Sequence, residues 1–164
     1  VEMCIRSRSH DEAVPNKQDG HSRHLTRFGV SQSEHAAKWM AKQLDAHSPL
    51  KQVDLTLVSP YVRTIETLAA VEQFMSIRET IQTSAITPDG NANDVQDLID
   101  GELLQDNSIK CLLVISHMPL VSLLSDVVCH GFNARIFDTA DVLMINYDFE
   151  RSSGSQLGFY QSLT

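Results

Sequence analysis

Long apolar runs are missing from this sequence. In 164 residues no stretch approaches the ~20 residues that a membrane-spanning helix needs. Nor does the N-terminus show a basic segment leading into an apolar stretch and a small-residue cleavage site, so no secretory signal is expected. Cysteine is scarce: Cys4, Cys111 and Cys129 have no metal-type spacing, and an odd count without a framework points to a reducing cytoplasm. Cations are outnumbered, 13 Lys and Arg against 21 Asp and Glu, for a formal net charge of −8. That balance argues against a general nucleic-acid binder, and any anionic ligand must be met by a local cluster of cations. No carboxylate cluster suggests Mg²⁺, and no GxxxxGK[ST] run suggests a nucleotide. Repeats, low-complexity tracts and linkers are absent as well, and the length suits one domain over residues 1–164.

What is present is an alternation. Residues 2–7 read as a first strand and 15–24 as a polar loop. Ser31 and Glu34 have capping-box spacing and predict a helix starting at Ser31, with Ala37, Met40, Ala41 and Leu44 as its buried stripe. "DLTLVSP" (54–60) is a short buried strand ending in a helix-start signal, Ser59 as cap and Pro60 in the first turn. The next helix carries Ile65, Leu68, Val71 and Met75 on one side. "TIQTSAIT" (80–87) reads as an edge strand and "PDGN" (88–91) as a turn. Val95, Leu98, Ile99 and Leu103 mark a third helix. "KCLLVIS" (110–116) is the strongest buried strand, followed by the helix "PLVSLLSDVV" (119–128). "DVLMINYDF" and "QLGFYQSL" flank a hairpin turn at "ERSSGS". Strands alternating with helices predict an α/β sandwich with a mainly parallel sheet and an antiparallel strand at one edge.

In open α/β sheets ligands bind at the carboxyl ends of the strands, and three such ends carry polar chemistry. The first strand runs into Arg8-Ser9-His10, the second into Ser59-Pro60-Tyr61-Val62-Arg63, and the 110–116 strand into Ser116-His117; the loop "GHSRHLTRFG" (20–29) adds Arg23, with His24 or Arg27 as further candidates. Arginine offers a rigid fork of donors to phosphate oxygens at any working pH. Histidine can attack phosphorus as a neutral imidazole or donate a hydrogen bond. The combination suits a phosphoryl group.

These residues resemble the histidine phosphatase superfamily, and within it the small phosphohistidine phosphatases of the SixA type. "SHDEAV" resembles the family's Arg-His-Gly-Glu-Ala segment, and "SRHLTRFG" its Arg-Pro-Leu-Thr-x-x-Gly segment. "VSPYVRTIET" resembles Ser-Pro-x-x-Arg-x-x-x-Thr, and "LLVISHMPLV" resembles the strand that delivers a second catalytic histidine. The resemblance implies a three-layer α/β/α sandwich of the phosphoglycerate mutase-like kind, working without metal or other cofactor. It implies His10 as the nucleophile that becomes transiently phosphorylated. Arg23 and Arg63 would clamp phosphoryl oxygens, His117 would stabilise the transferring charge, and Asn16 would be a weaker phosphate contact. The implied partner is a signalling protein carrying a phosphorylated histidine, with inorganic phosphate or other oxyanions in the same pocket, and no nucleic acid or membrane.

Many relatives place a helical insertion after the Arg63 segment, which supplies an acid for an alkoxide leaving group. Here 53 residues separate Arg63 from His117, filled by helix, strand and helix. A phosphohistidine has less need of that acid, since its leaving imidazole has a conjugate-acid pKa of about 6.5. Glu66 and Glu72 are alternative acids, although both fall at helical positions that read as a solvated face.

Two positions depart from the family pattern. The arginine just before the histidine is Ser9, and the glycine just after it is Asp11. Losing a charge-assisted phosphate bond costs roughly 1.5–3 kcal/mol. Arg8 shares a face with His10 in an extended segment and could compensate. Alongside the phosphohistidine phosphatase stand two alternatives, a phospho-binding module of the same fold without turnover and a small-molecule phosphomonoesterase. His21, His24, His35, His47 and His130 read as surface residues, and a metal site from His10, His21 and His24 lacks zinc-type spacing.

Overall fold

The computed structural model describes residues 2–6, 22–47, 52–129, 137–138 and 140–162. Six strands form one sheet in the order β3-β2-β4-β1-β5-β6: β1 (Glu2–Arg6), β2 (Gln52–Val58), β3 (Ser76–Gln82), β4 (Cys111–Ile115), β5 (Val142–Asp148) and β6 (Ser153–Tyr160). β3, β2, β4 and β1 pair in parallel, β5 runs antiparallel to β1, and β6 antiparallel to β5. The central parallel strands β2 and β4 are largely apolar because both faces are covered, whereas the edge strand β3 is mostly exposed. Every residue of β4 is buried, and alternate side chains serve opposite layers. Leu112 and Val114 join one core cluster with α3 (Ala92–Gln105) and α4 (Leu120–Val128). Cys111, Leu113 and Ile115 join the other with α1 (Arg27–His47) and α2 (Val62–Glu72). The architecture is the three-layer α/β/α sandwich that the sequence predicts. Among the described residues no helix is long and apolar enough to cross a membrane.

Several boundaries differ from expectation, each for a local reason. α1 begins at Arg27 rather than Ser31. Thr26 Oγ1 accepts the Gly29 N–H at 3.0 Å, so the cap is a threonine five residues upstream of the expected serine. Ala37, Met40 and Leu44 are buried as predicted, together with Ala36. In α2, Leu68, Val71 and the following Met75 face inward, but Ile65 is 38% exposed; Arg63, Thr64 and Thr67 take the inward positions of the first turns. The edge strand β3 lies at 76–82 rather than 80–87, and a single 3-10 turn, Ser84–Ile86, follows it. Asn91 caps α3 by accepting the Asp94 N–H at 3.1 Å. The hairpin turn is shorter than predicted, since Ser153–Ser155 already pair with Asn146–Asp148.

Candidate active site

The β2–β4–β1 triplet brings three strand ends to one level. Val58 and Arg6 both pair with Ile115, from opposite sides of β4. After β4 the chain turns to α4 on one face, and after β1 to α1 on the other. Adjacent strands whose helices depart on opposite faces leave a crevice at their carboxyl edge.

The β2 exit forms the first wall. Ser59 N–H donates to the Ile115 carbonyl at 3.2 Å, stitching the turn to β4. The sequence predicts Ser59 as the cap of α2, and this is corrected: the cap position is Tyr61, with no side-chain cap bond. Thr64 Oγ1 instead lies 2.9 Å from the Ser59 carbonyl and 2.7 Å from the Tyr61 carbonyl. The Ser59 hydroxyl is thereby left to face the β4 exit, where it sits 2.7 Å from His117 Nε2. His117 stands two residues past the end of β4 and is fully buried. Ser116 Oγ donates to the Ile86 carbonyl at 2.5 Å, and Val121 N–H to the His117 carbonyl at 2.9 Å. The Met118–Pro119 peptide is cis.

Arg63, in the first turn of α2, is fully buried, and among the described residues it is one of the largest side chains to be so. Its Nη2 is 3.4 Å from His117 Nδ1. The Tyr61 ring packs on both, 4.8 Å from the guanidinium carbon and 4.7 Å from the imidazole centroid. Burial holds Arg63 below the ordinary arginine range, and the nearby positive charge of Arg23 pushes the same way against a smaller opposing effect of Tyr61. An arginine stays protonated all the same, so the fold carries two guanidinium charges close together at a desolvated spot. An anion there removes that penalty.

Arg23, half-buried, stands in a short segment before α1. Glu66 of α2 secures the segment: its Oε1 accepts the Leu25 N–H at 3.1 Å and lies 3.1 Å from His24 Nδ1. Arg63 does not pair with Glu66 within the helix; the carboxylate turns to the loop instead. Glu72 is exposed at the far end of α2. His24 and His35 are exposed, as expected, and His35 Nδ1 donates to the Ser31 carbonyl at 2.8 Å. His10, Arg8 and Asn16, with Ser9 and Asp11, lie outside the described residues. Of the expected site residues, the structure thus brings Arg23, Arg63 and His117 together. It adds Ser59, which the sequence marked as a helix cap, Glu66, which it marked as an alternative acid, and Tyr61, whose only signal was membership of the segment around Arg63.

The chain is 31% identical over 153 residues to the phosphohistidine phosphatase SixA homolog of Haemophilus influenzae, covering 92% of both. The chain belongs to the SixA phosphohistidine phosphatase family. The Escherichia coli phosphohistidine phosphatase SixA is 26% identical over 140 residues, 85% of this chain and 82% of that one. A solved structure of the protein histidine phosphatase SixA complexed with tungstate superposes with a TM-score of 0.82 at 25% identity, covering 98% of this chain and 97% of the other. A mycobacterial glucosyl-3-phosphoglycerate phosphatase shares the fold at 12% identity and a TM-score of 0.65, over 99% of both chains, so the fold alone does not select a substrate. No protein-family model matches. At the crevice of this chain, Arg63 stands against His117 with the positive charge of Arg23 beside it.

The site carries the following expected outcomes. Tungstate at 100 times its Kd stabilises the protein by about 2.7 kcal/mol, a Tm rise of roughly 5–10 °C for a chain of this size. Arg63→Met loses most of that rise while leaving the ligand-free Tm unchanged or higher, because a buried charge gives way to an apolar chain of similar volume; calorimetry with and without tungstate checks both. Glu66→Ala raises the tungstate Kd roughly 5- to 10-fold by releasing the Leu25 N–H and the Arg23 segment, whereas Glu66→Gln keeps an acceptor oxygen and stays within about threefold. In an Arg23→Ala background the Glu66→Ala effect largely disappears, a non-additivity that titration calorimetry reads directly.

Proposed function

We propose that this protein is a phosphohistidine phosphatase that takes the phosphoryl group from a phosphorylated histidine on a partner signalling protein. The observation that carries this reading is the convergence of Arg63, Arg23 and His117 at the carboxyl edge of β2 and β4, beside the strand that leads to His10. A neutral His10 nitrogen attacks phosphorus in line as the P–N bond to the partner's imidazole breaks. The electron pair of that bond goes to the departing ring, which ends as neutral imidazole after taking up a proton. Arg23 and Arg63 hold the equatorial oxygens and His117 adds a third contact as charge spreads over them. Water then attacks phosphorus on His10, the P–N bond breaks, and inorganic phosphate and free His10 result.

The disposition of Glu66 supports a P–N over a P–O substrate. Its Oε1 accepts a backbone N–H and lies beside His24, so the carboxylate is turned to the Arg23 segment, and Glu72 stands at the distal end of α2. Neither is placed to protonate an alkoxide, whereas an imidazole leaving group needs no strong acid. The three cysteines, Cys4, Cys111 and Cys129, an odd count without a disulfide framework in the sequence, support a cytoplasmic setting. Ser9 and Asp11, in place of the family's arginine and glycine, favour a second reading, a phospho-binding module with the same pocket and no turnover.

The protein with a verified N-terminus is expected to release phosphate from a phosphohistidine protein at least roughly a hundredfold faster than from simple phosphate esters. Brief incubation with labelled substrate should trap label on His10 and not in His10→Ala. Release without trapping sinks the covalent route; tungstate binding with neither release nor trapping selects the binding module. Restoring the family motif with Ser9→Arg and Asp11→Gly raises the single-turnover rate roughly 10- to 100-fold, the value of one charge-assisted phosphate bond. An unchanged rate would mean that Arg8 already fills that place.

A further inference from the structure

Ser59 Oγ and Arg63 Nη2 approach the two nitrogens of one buried imidazole, and they constrain its proton differently. Arg63 can only donate, so in the ligand-free protein the contact from Nη2 at 3.4 Å requires His117 Nδ1 to be bare. The ring proton then sits on Nε2 and is donated to Ser59 Oγ at 2.7 Å. An oxyanion held by Arg63 and Arg23 makes the opposite demand, since a negative oxygen beside His117 Nδ1 accepts and cannot donate. A hydroxyl meets both states through a single atom, because it accepts from Nε2–H or, after rotation, donates its own proton to a bare Nε2. When it donates, it can still accept from the Tyr61 N–H, at a long 3.4 Å.

We propose that Ser59 is a positioning residue that lets His117 exchange tautomers on oxyanion binding, so that His117 meets the phosphoryl group as a neutral Nδ1–H donor rather than as an imidazolium. The ring gains at Nδ1 the proton it gives up to solvent at Nε2, Ser59 keeps its own proton, and no net charge enters or leaves the ring. The surroundings favour the neutral form: the ring is fully buried, with one guanidinium in contact and a second cation beside that, and both burial and neighbouring positive charge oppose protonation. Ser59 also explains why the β2 exit is built as it is, with Thr64 rather than Ser59 bonding the turn carbonyls so that the serine hydroxyl is released toward β4. The proposal rests on the oxyanion site described above and specifies how its histidine works.

The test is nitrogen NMR on the full chain labelled with ¹⁵N-histidine, with the His117 signals assigned from the spectrum of His117→Gln. Without ligand, Nε2 is expected in the protonated range and Nδ1 in the bare range. Saturating tungstate should reverse the two. Both nitrogens entering the protonated range would mean an imidazolium and overturn the proposal, as would tungstate binding with no change in either. Absence of tungstate binding would instead overturn the oxyanion site itself, so the two failures are separable. Ser59→Ala should abolish the single-tautomer spectrum and weaken tungstate binding about tenfold, while Ser59→Thr, which keeps the hydroxyl, restores both to within about threefold. A Ser59→Ala protein whose tautomers still reverse would refute the role, and the Ser59→Thr comparison separates it from a packing defect.

Discussion

The structure is organised around one buried positive charge. The Arg63 guanidinium is removed from water in the first turn of α2, with Arg23 close enough to push it further below its ordinary range. Desolvating an ion costs several kcal/mol even after relaxation, and a second like charge adds to that. The cost is tolerated because other elements hold the group on target: α2 is anchored in the core by Leu68 and Val71, and β2 is locked level with β4 through the Leu55–Val58 register. The Tyr61 ring lies against the guanidinium and offers it a π face in place of water. A negatively charged group beside such a cluster would offset that penalty, which is the basis of the proposed oxyanion preference.

Among the described residues, three carboxylates are spent on holding backbone together. Asp54 Oδ2 accepts the Lys110 and Cys111 N–H groups at 2.7 and 3.0 Å, closing the end of the β2–β4 pair opposite the site. Asp141 accepts from Ser162 and Asp138 at 2.8 and 2.9 Å, fastening the end of β6 to the start of β5, and burial pushes its carboxyl upward. Glu66 does the same for the Arg23 segment. Each of these acids satisfies backbone donors that would otherwise be buried without a partner, so a protein of net charge −8 can keep a locally cationic crevice. The same assignment leaves no carboxylic acid among them free to serve an alkoxide leaving group.

Much of the fold was legible from periodicity. The all-buried run of β4, the 3.6-residue stripes of α1 and α3 and the closing hairpin follow from where apolar residues recur, because burial on one or both faces leaves that trace. Boundaries were less legible where a competing polar contact decides them. Ser31 and Glu34 have the spacing of a cap, yet Thr26 does the capping. Ser59 precedes a proline as a cap would, yet its hydroxyl belongs to His117. Ile65 fits the apolar stripe of α2, yet the inward place goes to Arg63, because the helix begins at the site edge and its first turn faces the crevice before its later turns face the core.

By itself the sequence determined the layer architecture, the strand ends on which chemistry would fall, and the identities of Arg23, Arg63 and His117 as candidates, since these depend on local pattern and on motifs. Only the tertiary structure decided how those candidates meet: Arg63 against His117 across 54 positions, Ser59 against the same ring across 58, and Glu66 reaching back to Leu25 across 41. Contacts of that span are set by sheet order and register, which place β2, β4 and β1 side by side although the chain visits them far apart. No local pattern records which partner a hydroxyl or a carboxylate will find once those strands are level.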